Sequence, residues 1–339
     1  MNFSKNTNRP PDVSDILDAS NRIANIAVCS PLLESDRLNA RVNARVFLKC
    51  EMFQPVGAFK IRGAWNFMSR LTNRQLGQGV VAFSSGNHAQ AVAWAARKLQ
   101  TPATIVMPSD APKVKINKTR EYGAGVVLYD RNHENREEIA GSIAARKGAI
   151  LIPPYDHAHI IAGQGTVGLE IVKQCRKADI VPDLVLVPCS GGGLISGCSI
   201  VLKDAFPHSR IFSVEPEGFD DTARSLKAGK LVENLGNKTS ICDALLVRKP
   251  GNLTFEINRK NLDGGVVVTD DEVRQAIATA FSDTGLVTEP GGAVGLAAIL
   301  VKKVDCAGKV VCVVLSGGNA DPSLYSQILS SRLETNDRN

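Results

Sequence analysis

The sequence predicts an α/β protein built on parallel sheets, and two observations carry that prediction. Short apolar, β-branched runs alternate along the chain with longer stretches of 3.6-residue periodicity. Most of those runs are apolar throughout and do not alternate with polar residues, which marks strands covered by helices on both faces. In chain order the candidate strands are RVFLKC (45–50), VVAF (80–83), ATIVM (103–107), GVVLY (125–129), AILI (149–152), LVLVP (184–188), RIFSVE (210–215), GVVVT (265–269) and KVVCVVL (309–315). Segments between them, such as HAQAVAWAARKL (88–99) and TVGLEIVKQC (166–175), read as helices. Strand–helix–strand units of this kind close by right-handed crossovers. A chain of 339 residues holds about two domains. PPYDHAH (153–159) has two prolines that a central strand would not accept, and it reads as a domain crossing. GNKTSICDALLVRKPGN (236–252) reads as a long functional loop. The polar first eleven residues and the tail ETNDRN read as frayed ends.

Composition narrows the class. Hydrophobic residues at 44% and charged residues at 22% describe an ordinary soluble globular protein. The net charge of +6 is spread along the chain, and only 5% of residues are aromatic, which argues against a nucleic-acid surface. An anionic small molecule suits the mild positive balance better. None of the eight cysteines forms a C-x-x-C pair, so free thiols in a reducing compartment are expected. The start MNFSKNTNRPPD has no apolar core of a secretory signal. No apolar run reaches the ~20 residues of a membrane span. A cytoplasmic protein without a membrane partner is expected.

Ligands of open α/β sheets bind at the carboxyl ends of the strands, and three strand ends carry unusual loops. LVLVP runs into Ser190-Gly191-Gly192-Gly193 and then a helical pattern from Leu194. Consecutive glycines let backbone N–H groups approach an anion at a helix N-terminus, phosphate above all. The plain alternative is a close helix–sheet contact. VVAF runs into Ser84-Ser85-Gly86-Asn87 before a helix, so hydroxyls and free N–H groups could hold a carboxylate; simple capping is the plain alternative. His88 follows in the first turn, where packing is as good an explanation as chemistry. KVVCVVL ends in Ser316-Gly317-Gly318-Asn319, either a glycine turn or a hydroxyl offered to a ligand.

Lys60 stands in QPVGAFKIRG (54–63), between Phe59 and Ile61, with a glycine three positions away on each side. A helix-surface lysine needs no such frame. Burial or a neighbouring cation turns an amine into a nucleophile. A phosphate site, a carboxylate site and a framed lysine together suggest a pyridoxal-phosphate enzyme with Lys60 as its Schiff-base residue.

These motifs, in this order, resemble the fold-type II pyridoxal-phosphate enzymes, and within them the serine/threonine dehydratase and serine racemase group. The resemblance covers roughly residues 14 to 330 and includes AGQGT (162–166) as an interior signature. It implies two open, twisted parallel-sheet domains of the tryptophan synthase β type, with the cofactor between them. Residues 1–72 and 155–339 would form the large cofactor domain, and 73–154 the small domain. It implies further that Lys60 holds the cofactor and then takes the substrate's Cα proton, and that Phe59 packs beside the ring. Asn87 would bond the ring's 3-hydroxyl oxygen, while Ser85, Gly86, Asn87, His88 and Ala89 grip the substrate carboxylate. Gly191, Gly192, Gly193 and Leu194 would donate N–H groups to the phosphate, and Ser316 would face the pyridine nitrogen. A serine does not keep that nitrogen protonated, so the ring is a weak electron sink and β-elimination should compete well.

SVEPEGFDD (213–221) resembles the divalent-cation segment of the same group. Glu215, the Phe219 carbonyl and Asp221 would be the ligands, suited to magnesium, calcium or manganese; an acidic turn is the plain alternative. Two departures bear on substrate. Ala244 follows Asp243 where many relatives have glycine, and Ser85 stands where threonine dehydratases often have alanine. Serine at that position is what racemases use on the opposite face of Cα. With 339 residues no C-terminal regulatory domain is expected. The resemblance therefore implies a dehydratase (ammonia-lyase) converting L-threonine or L-serine to a 2-oxo acid and ammonia, as a homodimer. Serine racemase and 3-hydroxyaspartate dehydratase are the alternatives, and a non-catalytic amino-acid sensor is the alternative of another class. A nicotinamide dehydrogenase lacks its G-x-G-x-x-G fingerprint here.

Overall fold

The computed structural model describes residues 9–336, except 132 and 237. Most of the expected ends therefore lie outside the described residues. Within them ten strands form: β1 Leu32–Glu34, β2 Arg45–Cys50, β3 Val80–Phe83, β4 Ala103–Pro108, β5 Gly125–Tyr129, β6 Ile150–Leu151, β7 Leu184–Pro188, β8 Arg210–Pro216, β9 Gly264–Val268 and β10 Val310–Leu315. Nine coincide with the expected runs. Only β1 was not expected. It is three residues long, largely exposed, and pairs antiparallel on the outer edge of β2.

The strands make two sheets, a six-stranded one ordered β1-β2-β10-β7-β8-β9 and a four-stranded one ordered β5-β4-β3-β6. Every pairing except β1 with β2 is parallel. The fully apolar runs explain this. Along β10, Val311, Val313 and Leu315 enter one core, and Cys312 and Val314 enter another on the opposite face. β7 divides likewise, Leu184 and Leu186 against Val185 and Val187. In the smaller sheet Val80 and Ala82 of β3 face one core, Val81 and Phe83 a second. A strand that must satisfy two cores has no polar face to offer water. The chain is thus an α/β protein with two parallel-sheet domains, as the sequence predicts.

The strand order sets the position of the site. β2, β10 and β7 are neighbours, so the loops after their carboxyl ends emerge side by side. Those loops carry Phe59 and Lys60, Ser316, and Gly191–Gly193. The loop after β3, in the other sheet, carries Ser84–Asn87.

Candidate active site

The two glycines around Lys60 do different work. Gly57 adopts φ +70°, a left-handed turn, and a Cβ there would lie 2.8 Å from Asn319 Oδ1. This lets the loop zip onto the end of β10: Gly318 N donates to Gly57 O (2.9 Å) and Phe59 N to Ser316 O (3.1 Å). Gly63 lies in the helix Lys60–Met68, where a Cβ would meet Ile160 O at 3.0 Å and Gln164 Cγ at 3.1 Å. It allows close packing on the helix Ala158–Lys177. The start of the lysine's helix is fixed by the buried Arg62, whose guanidinium bonds Glu51 (2.7 Å) and Glu170 (2.6 Å). A buried charge needs such pairing. Lys49 joins the network through Glu170 at 2.6 Å.

Lys60 thereby points into the cleft. Its Nζ donates to Pro154 O (2.8 Å) and lies 5.1 Å from the Phe59 ring centroid. Burial, with the charge of Arg136 adding, pulls the amine's pKa down to about 8. The neutral amine is therefore reached at a much lower pH than for an ordinary lysine.

The phosphate-type loop follows β7. Gly192 takes φ +94° as N-cap of the helix Gly193–Ala205. The Gly191 carbonyl is tied back by Thr254 Oγ1 at 2.7 Å. Among the described residues the N–H groups of Gly191, Gly192, Gly193 and Leu194 find no protein acceptor. They form an open cradle at a helix N-terminus. The Tyr155 ring lies so close over Gly191 that a Cβ there would come within 2.4 Å of its ring carbons.

After β3, Ser85 Oγ donates to Asp243 O (3.2 Å) across the cleft. Asn87 opens the helix Asn87–Lys98; its Nδ2 donates to Glu289 and its Oδ1 accepts from Asn319 Nδ2 (3.0 Å). His88 Nε2 faces Ile152 O at 3.1 Å. Burial, helped by the charge of Lys60, pushes this imidazole down to about 3, so it is neutral. Nε2 then carries the proton toward the carbonyl, and Nδ1 is a buried, unpartnered acceptor.

Lys60, Phe59, Ser85, Asn87, His88, Gly191, Gly192, Gly193, Leu194 and Ser316 all line one cleft. Gly86 and Ala89 do not line it. Gly86 packs on the Lys115 stem, and Ala89 is buried in the core of the smaller sheet.

Four residues in or beside the cleft escaped sequence reasoning. Lys115, on the helix Lys113–Glu121, is buried and pairs with Asp243 (2.7 Å) and Glu289 (3.1 Å). Burial opposes its charge, but the two carboxylates outweigh burial and raise its pKa. Arg136 and Tyr155 line the cleft itself. Their sequence surroundings contain no glycine signal. Glu289 sits beside Gly317 and Asn87, and its only local hint is a cap position before Pro290-Gly291-Gly292.

The expected cation ligands lie elsewhere, at the carboxyl end of β8. Glu215 accepts from the N–H groups of Thr222 (2.9 Å) and Ala223 (2.7 Å). Asp221 Oδ1 accepts from Asn234 Nδ2 (2.6 Å), while its Oδ2 is buried without a partner. Burial and then the charge of Asp221 raise the Glu215 pKa well above the usual range; burial lifts Asp221 to about 7. Two buried carboxylates and one orphaned oxygen fit a hard cation. Among the described residues no group of three or more His, Cys, Asp or Glu side chains converges.

Comparison with known proteins agrees with this geometry. A family described as pyridoxal-phosphate dependent enzymes matches residues 25–317. The chain is 42% identical over 322 residues to the L-threo-3-hydroxyaspartate ammonia-lyase of Saccharomyces cerevisiae, covering 95% of this chain and 97% of that one. It is 40% identical over 321 residues to the L-threonine ammonia-lyase of Thermotoga maritima, covering 95% and 79%. The structure of maize serine racemase superposes with a TM-score of 0.87 at 38% identity, covering 96% of this chain and 99% of that one.

Proposed function

Because the chain belongs to the pyridoxal-phosphate dependent enzymes, in the group that holds ammonia-lyases and racemases, we propose that it is an ammonia-lyase. It eliminates water from a small β-hydroxy L-amino acid, and hydrolysis of the resulting imine takes a water back up, so that the net change is loss of ammonia to leave a 2-oxo acid. One observation supports this above the others. The free N–H cradle at Gly191–Leu194 and the amine of Lys60 share one cleft, at the ends of neighbouring strands. The residues fit the cofactor. The four N–H groups would hold its phosphate, Phe59 its ring face, Ser316 its ring nitrogen, Asn87 its 3-hydroxyl, and Lys60 its aldehyde carbon. When bound, the cofactor supplies the electron sink that makes a Cα proton removable.

The remaining work falls to the chain. Ser85, Asn87 and His88 line the cleft with a hydroxyl and first-turn groups that suit the substrate carboxylate, while Gly86 and Ala89, off the cleft, complete the same loop. Lys60 Nζ, neutral above about pH 8, is the base for the Cα proton. Ser85, with its hydroxyl in the same cleft, is placed for the opposite face in racemisation.

The reading extends to a divalent cation, magnesium first, at Glu215, Asp221 and the Phe219 carbonyl. A homodimer and the domain limits given above belong to it on the strength of the resemblance, and a cytoplasmic location on the cysteine pattern and the composition read above. The test is turnover. The purified protein with pyridoxal phosphate is given L-serine, L-threonine and L-threo-3-hydroxyaspartate, with magnesium or with EDTA. Keto acid and the chirality of recovered substrate are followed. Bound cofactor with neither product would sink the proposal. An unchanged melting temperature with and without magnesium would remove the cation.

A further inference from the structure

The stretch AGQGT (162–166) lies in the helix Ala158–Lys177, and its glycines mark close approaches of two other helices. A Cβ at Gly163 would lie 2.5 Å from Arg62 O, in the helix that begins with Lys60. A Cβ at Gly165 would lie 2.9 Å from Gly197 O, in the helix that begins at the glycine cradle. Gln164 stands between these contacts and is 1% exposed. Its Nε2 donates to Pro154 O at 3.4 Å, the same oxygen that accepts from Lys60 Nζ at 2.8 Å. Its Oε1 points the other way, 2.4 Å from where a Cβ of Gly193 would be. Among the described residues that oxygen is buried without a partner.

A residue that only filled this space would be apolar. Burying an amide costs free energy unless hydrogen bonds offset the loss. Gln164 makes one long bond and leaves its acceptor unmet, so packing alone does not account for it. Pro154 O does not need it either, because Lys60 already donates there. A carbonyl has two acceptor lone pairs, so the second donor does not displace the amine. What it adds is a fixed position for the oxygen that the amine follows. When Nζ is neutral, one N–H on Pro154 O leaves its lone pair turned away from that carbonyl. A reacting group misplaced by about 1 Å can lose about 100-fold in rate.

Resting on the ammonia-lyase reading, in which Lys60 Nζ is the reacting amine, we propose that Gln164 is a positioning residue for Lys60: it holds the Pro154 carbonyl, and through that carbonyl it aims Nζ. Gln164→Met keeps the length of the side chain and removes the amide. The full chain freed of cofactor is mixed with pyridoxal phosphate, and capture is followed by absorbance. Capture should slow by about 10–100-fold. The melting temperature of the same cofactor-free variant should stay level or rise, because the unmet acceptor is gone. In the holoenzyme kcat should fall by a similar factor with KM within about twofold, since Gln164 does not line the cleft.

A pH profile gives the readout that a packing role would not move. Gln164→Glu offers a carboxylate in place of the N–H, and its charge favours the ammonium form of Lys60. The midpoint of the capture rate, about pH 8 in wild type, should move up by about one unit or more. The other titratable groups of the cleft do not obscure it. Burial pushes His88 down to about 3 and Tyr155 up to about 12. Asp243 is paired with Lys115 at 2.7 Å, and Arg136 is a fixed positive charge.

Capture by Gln164→Met at the wild-type rate overturns the proposal. So does a melting temperature that falls along with the rate, which would make Gln164 a packing residue, and so does an unmoved midpoint in Gln164→Glu. Wild type that captures pyridoxal phosphate but turns over no amino acid removes the ammonia-lyase reading and leaves the capture measurements to decide the role of Gln164. Wild type that captures none removes both.

Discussion

Lys115 gives the sharpest test of the physical reasoning. Its ammonium is buried between Glu289, itself 1% exposed, and Asp243, about a quarter exposed. It thereby ties the helix Lys113–Glu121, beside the four-stranded sheet, to two residues beside the six-stranded one. Lys115→Met keeps the length of the stem and removes only the charge. Water reaches Asp243, so that carboxylate loses little, on the scale of an exposed pair at about 1 kcal/mol or less. Glu289 is left as a buried charge whose remaining partner is the Asn87 amide. Removing one member of a buried pair costs about 3–5 kcal/mol. That is a large share of the roughly 5–15 kcal/mol that holds a typical domain folded. The assay is urea unfolding at a fixed cofactor concentration, since bound ligand shifts the midpoint by mass action. The control is Lys115→Met combined with Glu289→Gln. The amide introduced by Glu289→Gln can still accept from Asn87 but carries no charge, so the double variant should recover at least about half of the loss. A single variant that loses less than about 1 kcal/mol, or a double variant no more stable than the single, would refute the reasoning.

The backbone at Gly191 is not left-handed, so the Tyr155 ring is the obstacle to a side chain there. Gly191→Ala should weaken cofactor affinity by about tenfold or more and cost about 1–3 kcal/mol, with both effects relieved in a Tyr155→Ala background; fluorescence titration of the cofactor reads this. Ser85→Ala should abolish racemisation and leave part of the elimination from the L-isomer, measured as D-amino acid by chiral chromatography against keto acid. Equal loss of both would mean that Ser85 is no separate base for the second face. Lys60 has its pKa lowered to about 8, so the amine is protonated below that pH and nucleophilic above it. Capture of pyridoxal phosphate by the apo-protein should therefore accelerate through about pH 8 and level off above it. A rate that is flat across that range would contradict the lowered pKa.

What was legible in the sequence was whatever writes itself locally. Runs such as VVCVVL and LVLVP announce strands buried on both faces, because every residue must enter one of two cores. Glycines at strand ends announce backbone approaching a ligand, and Lys60, Gly191–Gly193, Ser85 and Ser316 do meet in one cleft. β1 was not legible, since three residues with exposed side chains carry no pattern. Neither was Lys115, which stands in KVKINKTRE and looks like any lysine of a polar helix. It is buried only because Asp243 and Glu289 arrive from 128 and 174 residues away. Arg136 likewise reads as the start of a solvated helix until the fold turns it toward Phe83. Contacts between distant segments, such as the Lys115–Glu289 pair, leave no local trace, and residues placed by such contacts are the ones that sequence reasoning missed.

The place of β10 bears on how the protein is made. It is the last strand in chain order, yet it lies between β2 and β7, and its first residue pairs with Arg45, 265 positions earlier. During synthesis β2 and β7 cannot be joined until almost the whole chain has left the ribosome. The lysine loop, the phosphate cradle and Ser316 therefore have no common frame before that moment, and a nascent chain cannot capture its cofactor early. Long-range parallel pairing of this kind is also slow. While the gap stays open, two apolar strands present unpaired edges, a natural hold for chaperones and an opening for misassembly.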